Sequence, residues 1–445
     1  MKKIISYGSL IFIHAVIAFI VFTIPFLSKI YALVIPIAGL YIVIRNKNQN
    51  NEVLLVSAYL VGVEVFLRMT GGNFNNEYVK FCIIIFMLLG MLYRNFSIGA
   101  LIYAVFLLLL IPGILVAVTT SHFEADIKKA LVFNLSGPFC LGISAIYMYK
   151  KRILFTDLQN IVKVMGLPIV STVVYLFLYN PSIKDVVTGT SSNFATSGGF
   201  GPNQVSTILG LGIFIFFSQL VLSSKSKVLI LINGVLLIFV SYRGVATFSR
   251  GGVITGIVMI ACLLFVLYYF SNSRGKTKVS LVFVLLSFLG IGIWAYTSSQ
   301  TKGLIEKRYA NQDAKGRVKN DRLGGREAII DADYELFLNN PIMGIGTGMG
   351  KELRKEALGG QEAASHNEIS RMFSEHGLFG IFGLLILFIT PFALYINNRQ
   401  HLYFLSFFVF WLLTINHAAM RIAAPAFVYA LCLLSVQVKI PEKTD

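Results

Sequence analysis

Residues 98–119 read IGALIYAVFLLLLIPGILVAVT and contain no charged side chain. About 20 consecutive apolar residues are needed for an α-helix to cross the hydrocarbon core of a bilayer. Runs of this kind recur along the chain, which is 56% hydrophobic and only 13% charged. The charged share is about half of the ~25% that is usual in soluble domains. The sequence therefore predicts an all-α, polytopic transmembrane helical bundle.

Apolar segments of similar length can be marked on both sides of this run. The candidate spans are 4–24, 30–44, 53–70, 79–93, 98–119, 131–149, 161–179, 204–222, 228–248, 252–270, 279–297, 378–396, 402–417 and 424–438. Several are short for a crossing helix, so we predict about 12–14 spans. We divide the chain into transmembrane helices with short loops (1–297), one large outer loop with short helices (298–377), and C-terminal transmembrane helices (378–445).

The basic residues of the short loops concentrate on one side of this predicted bundle. With the N-terminus inside, the short inner loops carry Arg45, Lys47, Arg94, Lys150, Lys151, Arg152, Lys225, Lys227, Arg274, Lys276, Lys278 and Arg399, and the short outer loops are far less basic. This distribution follows the positive-inside rule. We therefore interpret the net charge of +17 as an orientation signal, with binding of an anionic lipid or substrate as a second use, and we predict no nucleic-acid partner.

Metal chemistry is not indicated by the sequence. The four cysteines, Cys82, Cys140, Cys262 and Cys432, each lie in an apolar run, far from one another. Their spacing is typical of small buried hydrophobic residues and not of disulfides or metal ligands. No His-x-x-His or Cys/His metal spacing occurs, so we predict no metal.

Four charged residues within predicted helices have spacings that suggest structural pairs. Glu64 and Arg68 are four residues apart, and so are Arg371 and Glu375. Residues at this spacing lie on one helix face and can neutralise each other. We interpret both as structural ion pairs.

Two arginines near the outer end of a predicted span lack such a partner. Arg243 and Arg250 lie in SYRGVATFSRGG (241–252), and no acidic residue is within two helical turns of either. Guanidinium groups bind phosphate and pyrophosphate oxygens through two parallel hydrogen bonds. We predict a phosphate-binding role for both, with snorkelling to lipid headgroups as the alternative.

The large outer loop contains two segments with a clear local pattern. DRLGGREAIIDADYELFLNNP (321–341) predicts a short helix over 326–338, ended by Asn-Asn-Pro. The glycine-rich IMGIGTGMGKE (342–352) follows. A nucleotide-binding loop is disfavoured because no strand precedes it and the Walker spacing is absent. We interpret it as a tight turn at the membrane interface.

The next segment, ASHNEISRMFSEHGLFG (364–380), contains two histidines. His366 precedes a predicted helix on the side of the membrane that also bears Arg243 and Arg250. Because histidine titrates near neutral pH, it can take a proton from a hydroxyl group. We predict that His366 is catalytic, against the alternative of a polar surface residue. His376, beside Gly377, is interpreted as a helix end.

Three of these segments, in this order, resemble the bacterial O-antigen ligase and O-antigen polymerase family. They are TFSRGG (247–252), GREAIIDADYELFLNNPIMGIGTG (325–348) and SHNEISRMFSEHGLFG (365–380), and GPNQVST (201–207) is similar as well. The resemblance covers roughly residues 200–380. It implies a GT-C-type membrane glycosyltransferase at the outer, periplasmic face of the bacterial inner membrane, which transfers a glycan from undecaprenyl pyrophosphate to a sugar hydroxyl of a glycan or lipid-linked acceptor. Neither a nucleotide sugar nor a metal nor another cofactor is implied.

The resemblance also assigns roles to individual residues. His366 matches the essential loop histidine, a candidate general base, and Arg250 matches the arginine that neutralises the pyrophosphate. Arg322 and Arg326 match basic positions near the Gly-Arg segment. Arg243 is our addition, from its charge and place.

The sequence leaves several functions open. Ligases of this family tend to carry another arginine shortly before the Pro-Asn segment, and SSNFATSGGFGPNQ (191–204) has none. Ligase and repeat-unit polymerase therefore both remain. A lipid-linked glycan transporter or flippase, and a scaffold of an envelope polysaccharide complex, are the alternatives from other classes. The absence of a recognisable repeat favours the enzyme over a transporter.

Overall fold

A computed structural model describes residues 6–93, 96–120, 127–319, 326–357 and 365–438. The α-helices are α1 Tyr7–Thr23, α2 Leu27–Asn46, α3 Glu52–Met69, α4 Tyr78–Tyr93, α5 Leu101–Leu108, α6 Ile111–Thr120, α7 Ile127–Met148, α8 Phe155–Tyr179, α9 Pro202–Leu222, α10 Lys227–Ala246, α11 Arg250–Phe270, α12 Ser273–Gln300, α13 Leu304–Tyr309, α14 Arg326–Asn339, α15 Gly350–Ala357, α16 Glu368–Ile396, α17 Phe404–His417 and α18 Ala424–Leu431. The two strands among these residues are β1 Arg152–Leu154 and β2 Ser435–Gln437. The predicted all-α class is confirmed.

Many of these helices have the length and composition of membrane spans. Within the described ranges, nine helical segments are long and apolar enough to cross a bilayer, and α1, α4 and α17 are shorter apolar helices. The apolar window of α12 has no buried residue, and Phe283 and Phe288 on it are 60% and 70% exposed. Such an exposed apolar face requires lipid around it. The chain is therefore a multi-pass membrane protein.

The helices pack closely where glycines remove side chains from the interface. A Cβ added at Gly210 on α9 would lie 1.9 Å from the carbonyl oxygen of Gly252 on α11. A Cβ at Gly62 on α3 would lie 2.1 Å from the carbonyl oxygen of Met165 on α8. Small residues at helix contacts are the usual means of association in membranes, where dispersion contacts replace the hydrophobic effect. These contacts hold α3, α8, α9 and α11 together.

Hydrogen bonds connect the segments between helices at both ends of the bundle. At one end, β1 pairs in parallel with β2, and the Lys150 N–H donates to the carbonyl of Leu433 over 2.9 Å. At the other end, Arg68 Nη1 in the last turn of α3 donates to Gln204 Oε1 at the start of α9 over 3.2 Å. The second end also holds the polar segments from which the candidate site is built.

The loop between α12 and α16 returns to this second end. Its predicted helix over 326–338 is confirmed as α14. The glycine-rich segment then passes between α6 and α16, where the Ile345 N–H donates to Ser374 O over 2.9 Å and the Thr347 N–H donates to Gly113 O over 2.9 Å. Gly344, Gly346 and Gly348 have φ values of 72°, 96° and 83°, which favour glycine. The segment is thus a tight turn, as predicted.

Candidate functional site

The Ser-Arg-Gly-Gly turn lies between α10 and α11 and is fixed on two sides. Ser249 Oγ donates to Asn203 Oδ1 over 2.8 Å, at the start of α9. Ser206 Oγ donates to the Ser249 carbonyl over 2.8 Å. From the outer loop, Arg308 Nε donates to the Phe248 carbonyl over 3.0 Å. Because polar and backbone groups of three separate segments meet here, the turn has a defined shape.

Arg250 begins α11 and is half-buried. Its Nη1 donates to the Arg308 carbonyl at 3.5 Å, and the Arg308 side chain is half-buried as well. Two guanidinium groups therefore lie beside one turn. Arg308 was not singled out from the sequence, because it sits in a mixed-charge loop that showed no pattern.

Tyr309 follows Arg308 and connects the turn to an apolar cavity. Burial raises the pKa of Tyr309 to about 12, although the charges of Arg250 and Arg308 act in the opposite direction. The phenol therefore stays neutral at physiological pH. Its ring meets the Trp294 indole edge to face, with centroids 4.9 Å apart.

The apolar cavity has a volume of about 340 Å³ and lies among α9, α10, α11 and α12. Aliphatic and aromatic side chains line most of it, and the lining residues with polar groups are Ser241, Ser287, Trp294 and Tyr309. The lipid-exposed α12 forms one wall. The cavity therefore offers an apolar space among membrane helices, and its lining includes Tyr309, the residue after Arg308.

Arg243 is enclosed and has no exposed surface. Its Nη2 donates to the Asn180 carbonyl over 2.8 Å, and its guanidinium carbon lies 4.0 Å from the centroid of the Phe177 ring. Nε and Nη1 have no hydrogen-bond partner among the described residues. A side chain enclosed in this way does not extend to lipid headgroups. In this conformation a ligand at the outer face cannot reach its guanidinium group.

His366 lies just before α16 and is half-exposed. Asn367 caps the helix, because its Oδ1 accepts from the Ile369 N–H over 2.9 Å. The His366 carbonyl accepts from the Ala419 N–H over 3.1 Å. The backbone that carries this imidazole is therefore attached both to α16 and to the turn after α17.

That turn, residues 417–421, connects His366 with Arg250. The His417 ring packs on Gly251, where an added Cβ would lie 2.5 Å from it, and His417 Nε2 lies 3.2 Å from Thr207 Oγ1. Further along, Ala419 contacts His366 as described above. His417 and Arg421 were missed from the sequence, although HAAMR at the outer end of a predicted span shows a histidine and an arginine without an acidic neighbour.

A second, polar cavity of about 660 Å³ lies next to the segment that carries His366, because Ser365 is one of its lining residues. Its walls come from residues 75–77, from the start of α7, from 347–354 and from Ser365 to Glu375. Amide, hydroxyl and charged side chains contribute to this lining, including Asn75, Thr347 and Lys351. Such a chamber suits a hydroxyl-rich ligand.

Buried ion pairs stiffen the walls of this chamber. The predicted pair of Arg371 with Glu375 is confirmed at 2.7 Å, and Arg371 also pairs with Glu368. Asp333 pairs with Arg354 and accepts hydrogen bonds from Ser370 and Ser374. The predicted Glu64–Arg68 pair on α3, which does not line this chamber, is also confirmed at 2.6 Å.

No group of three metal-ligating side chains occurs in the described part of the chain. Asp331 and Asp333 do have an Asp-x-Asp spacing, but Arg354 neutralises Asp333 in a fully buried position. This carboxylate is thus engaged in structure.

The remaining predicted residues are only partly placed. Arg322 lies outside the described residues. Arg326 begins α14, but its side chain is outside the described part. His376 is buried, and Gly377 after it has φ 57° and interrupts the helical geometry of α16, so the histidine ends the first part of that helix.

Comparison with known proteins agrees with the sequence motifs. The family model described as O-antigen ligase matches residues 234–385, a region that includes Arg250, Arg308 and His366. The predicted resemblance is therefore confirmed. The chain is also 28% identical over 164 residues to a Haemophilus influenzae protein described only as uncharacterized. That alignment covers 34% of this chain and 39% of the relative, so the chain spans well under half of that protein's length.

Proposed function

We propose that this protein is a polyprenyl-pyrophosphate-dependent glycosyltransferase of surface polysaccharide biosynthesis, an O-antigen ligase or repeat-unit polymerase. It would act at the periplasmic face of the bacterial inner membrane. The observation that carries the proposal is the turn 417–421, which contacts Gly251 beside Arg250 at one end and His366 at the other. The same turn therefore positions the candidate base, His366, and the candidate phosphate-binding residue, Arg250. Both residues lie within the region that matches the O-antigen ligase family.

The apolar cavity and the two arginines suit the donor. Undecaprenyl pyrophosphate combines a long apolar tail with an anionic linker. We assign the tail to the cavity that Tyr309 lines and the pyrophosphate to Arg250 and Arg308. As the glycosyl bond breaks, negative charge develops on the departing phosphate oxygen, and preorganised guanidinium groups stabilise that charge.

His366 is assigned the role of general base for the acceptor. The acceptor hydroxyl would enter from the polar chamber, whose wall includes the neighbouring Ser365. The hydroxyl oxygen forms the new bond to the anomeric carbon and its proton passes to the imidazole. The bond from that carbon to the phosphate oxygen breaks, and the electron pair leaves with the pyrophosphate lipid. No metal or cofactor is required in this scheme.

The other predicted arginines have more distant roles. Arg243 is a positioning residue, because its hydrogen bond to Asn180 ties the outer segment 180–201 to the end of α10. Arg322 and Arg326, near the start of α14, are proposed to contact the pyrophosphate or the glycan from the outer loop.

The test separates ligase, polymerase and non-enzymatic roles. The gene is deleted in its host, and lipid-linked and surface glycans are separated by size after complementation with wild type, His366→Ala, Arg250→Ala, and the surface controls Glu335→Ala and Arg317→Ala. A ligase leaves long chains on the carrier, and a polymerase leaves single repeat units. Both site variants should behave as the deletion, and both controls as wild type. Full restoration by His366→Ala at equal protein level would contradict the catalytic role and favour a flippase or scaffold.

A further inference from the structure

A third cavity, of about 390 Å³, lies at the end of α16 opposite to His366. It is bordered by the link between α7 and α8, by the residues after α16, and by the segment after α18. Its polar lining comes from Lys150, Arg152, Asn397, Asn398, His401 and Ser435. None of these residues belongs to the candidate glycosyltransferase site.

Backbone hydrogen bonds fix the segment that carries the basic residues of this cavity. The Lys150 N–H donates to Leu433 O and the Ser435 N–H donates to Lys151 O, both over 2.9 Å. The pairing of β1 with β2 continues this contact, with Arg152 opposite Ser435. Lys150 itself adopts φ 54°, a conformation that costs energy for a residue with a side chain and that the surrounding contacts maintain. A loop that served only as an orientation signal would not need this structure.

No acidic residue is among the described residues that line this cavity. Lys150 and Arg152 are exposed, and neither has an ion-pair partner among the described residues. Arg399, next to the lining residue Asn398, is also exposed and forms no ion pair within the described ranges. Asp157 is the acidic residue nearest in sequence to Arg152, on the first turn of α8. The cavity therefore has a positive potential.

The position of the cavity limits which anion it would receive. It lies where the membrane helices α7 and α16 end, which is where we expect lipid headgroups. Leu394 and Tyr395, from the last turn of α16, form its apolar side. Basic pockets between membrane helices bind anionic headgroups, and lysine, arginine and amide groups all donate to phosphate oxygens.

We propose that this cavity binds the phosphate headgroup of an anionic glycerophospholipid. Lys150 and Arg152 contact the phosphate, Asn397 supplies an amide donor, and the acyl chains follow α16 into the bilayer. The bound lipid connects the ends of α7, α16 and α18. This inference does not depend on the proposed transferase activity.

The chain provides a matched control for the test. Lys225 on the link between α9 and α10 and Lys227 at the start of α10 are exposed at the same end of the bundle, and neither lines the cavity. We compare the Lys150→Gln/Arg152→Gln double variant with Lys225→Gln/Lys227→Gln, which loses the same charge. Each purified full-length protein is placed in nanodiscs of equal parts phosphatidylglycerol and phosphatidylethanolamine, and bound lipids are counted by native mass spectrometry.

Wild type and the control variant should retain phosphatidylglycerol in preference to phosphatidylethanolamine. The Lys150→Gln/Arg152→Gln variant should lose this preference by on the order of 30-fold, since each of the two cations near an anionic headgroup contributes roughly fivefold. Equal loss in both double variants, or no preference in wild type, would overturn the proposal. In a second arm, sn-glycerol 3-phosphate is added to detergent-solubilised protein. Binding as tight as that of the lipid would identify a soluble phosphate ligand and reject the lipid.

Discussion

The His417 ring lies directly on the backbone of Gly251, so that a Cβ at Gly251 would be 2.5 Å from the ring. This contact joins the end of α17 to the first turn of α11, one residue after Arg250. Ala419 also contacts His366. A displacement of the 417–421 turn would therefore move the candidate base, His366, relative to Arg250, the candidate phosphate-binding residue.

Gly251→Ala is therefore expected to reduce glycan transfer more than it reduces stability. The new methyl group meets the side chain of His417, which can move, at a cost of about 1–3 kcal/mol. Transfer is measured by complementation of the deletion, and folding by thermal melting of the purified protein. Gly234→Ala is the control, because a Cβ at Gly234 on α10 meets nothing within 4 Å. Normal transfer by Gly251→Ala would show that the contact does not position the site.

The sequence predicted the long crossing helices because each of them must be apolar over its length. The predicted span 424–438 was wrong in its second half, where α18 ends at Leu431 and the strand Ser435–Gln437 follows. The sequence predicted α14 from its glycine and Asn-Asn-Pro boundaries, and it identified the ion pairs that are four residues apart. These features depend on residues close together in the chain, so local pattern is sufficient.

Contacts between distant segments were not accessible in this way. Asp333 pairs with Arg354 from another helix, and the 417–421 turn meets residues 251 and 366, far away in sequence. Arg243 looked like an interfacial residue from its position near a helix end, yet it is enclosed by Phe177 and Asn180. Burial of that kind depends on how helices pack, which no local pattern specifies.

Arg243→Met is expected to lower glycan transfer while the protein remains folded. Methionine fills most of the volume and contacts Phe177, but it cannot donate to the Asn180 carbonyl. Replacing a buried charge by an apolar residue is often neutral for stability. The outer segment 180–201, however, loses one of its attachments to the end of α10 and keeps the hydrogen bond from the Asn193 N–H to the Thr247 carbonyl. Arg243→Lys keeps a donor and should restore part of the activity. Equal activity of Met and Lys variants would argue against this positioning role.

Asp333→Ala should strongly destabilise the wall of the polar chamber that Arg354 lines. It leaves Arg354 buried without its carboxylate and removes the acceptor of Ser370 and Ser374, and breaking a buried pair costs about 3–5 kcal/mol. Thermal melting and limited proteolysis of the outer loop provide the measurement. The control is Asp313→Ala, which breaks the exposed pair with Arg317 in the same loop and should change the melting temperature little. Similar effects of both variants would mean that burial of Asp333 does not matter.

Acid should destabilise the opposite end of the bundle through His401. Burial lowers the pKa of His401 to about 4 from its usual 6.5, and its Nε2 contacts the Leu431 carbonyl at 2.9 Å. The unfolded chain therefore binds a proton between pH 6.5 and 4 that the folded protein does not bind. The stability contributed by the neutral form is complete above pH 6.5 and is lost as the pH falls toward 4, by on the order of 3 kcal/mol. His401→Gln keeps a donor for Leu431 but does not titrate, so its melting temperature should fall less than that of wild type over this range and should match it near pH 7.5. Parallel pH profiles for the two proteins would mean that His401 does not contribute to acid sensitivity.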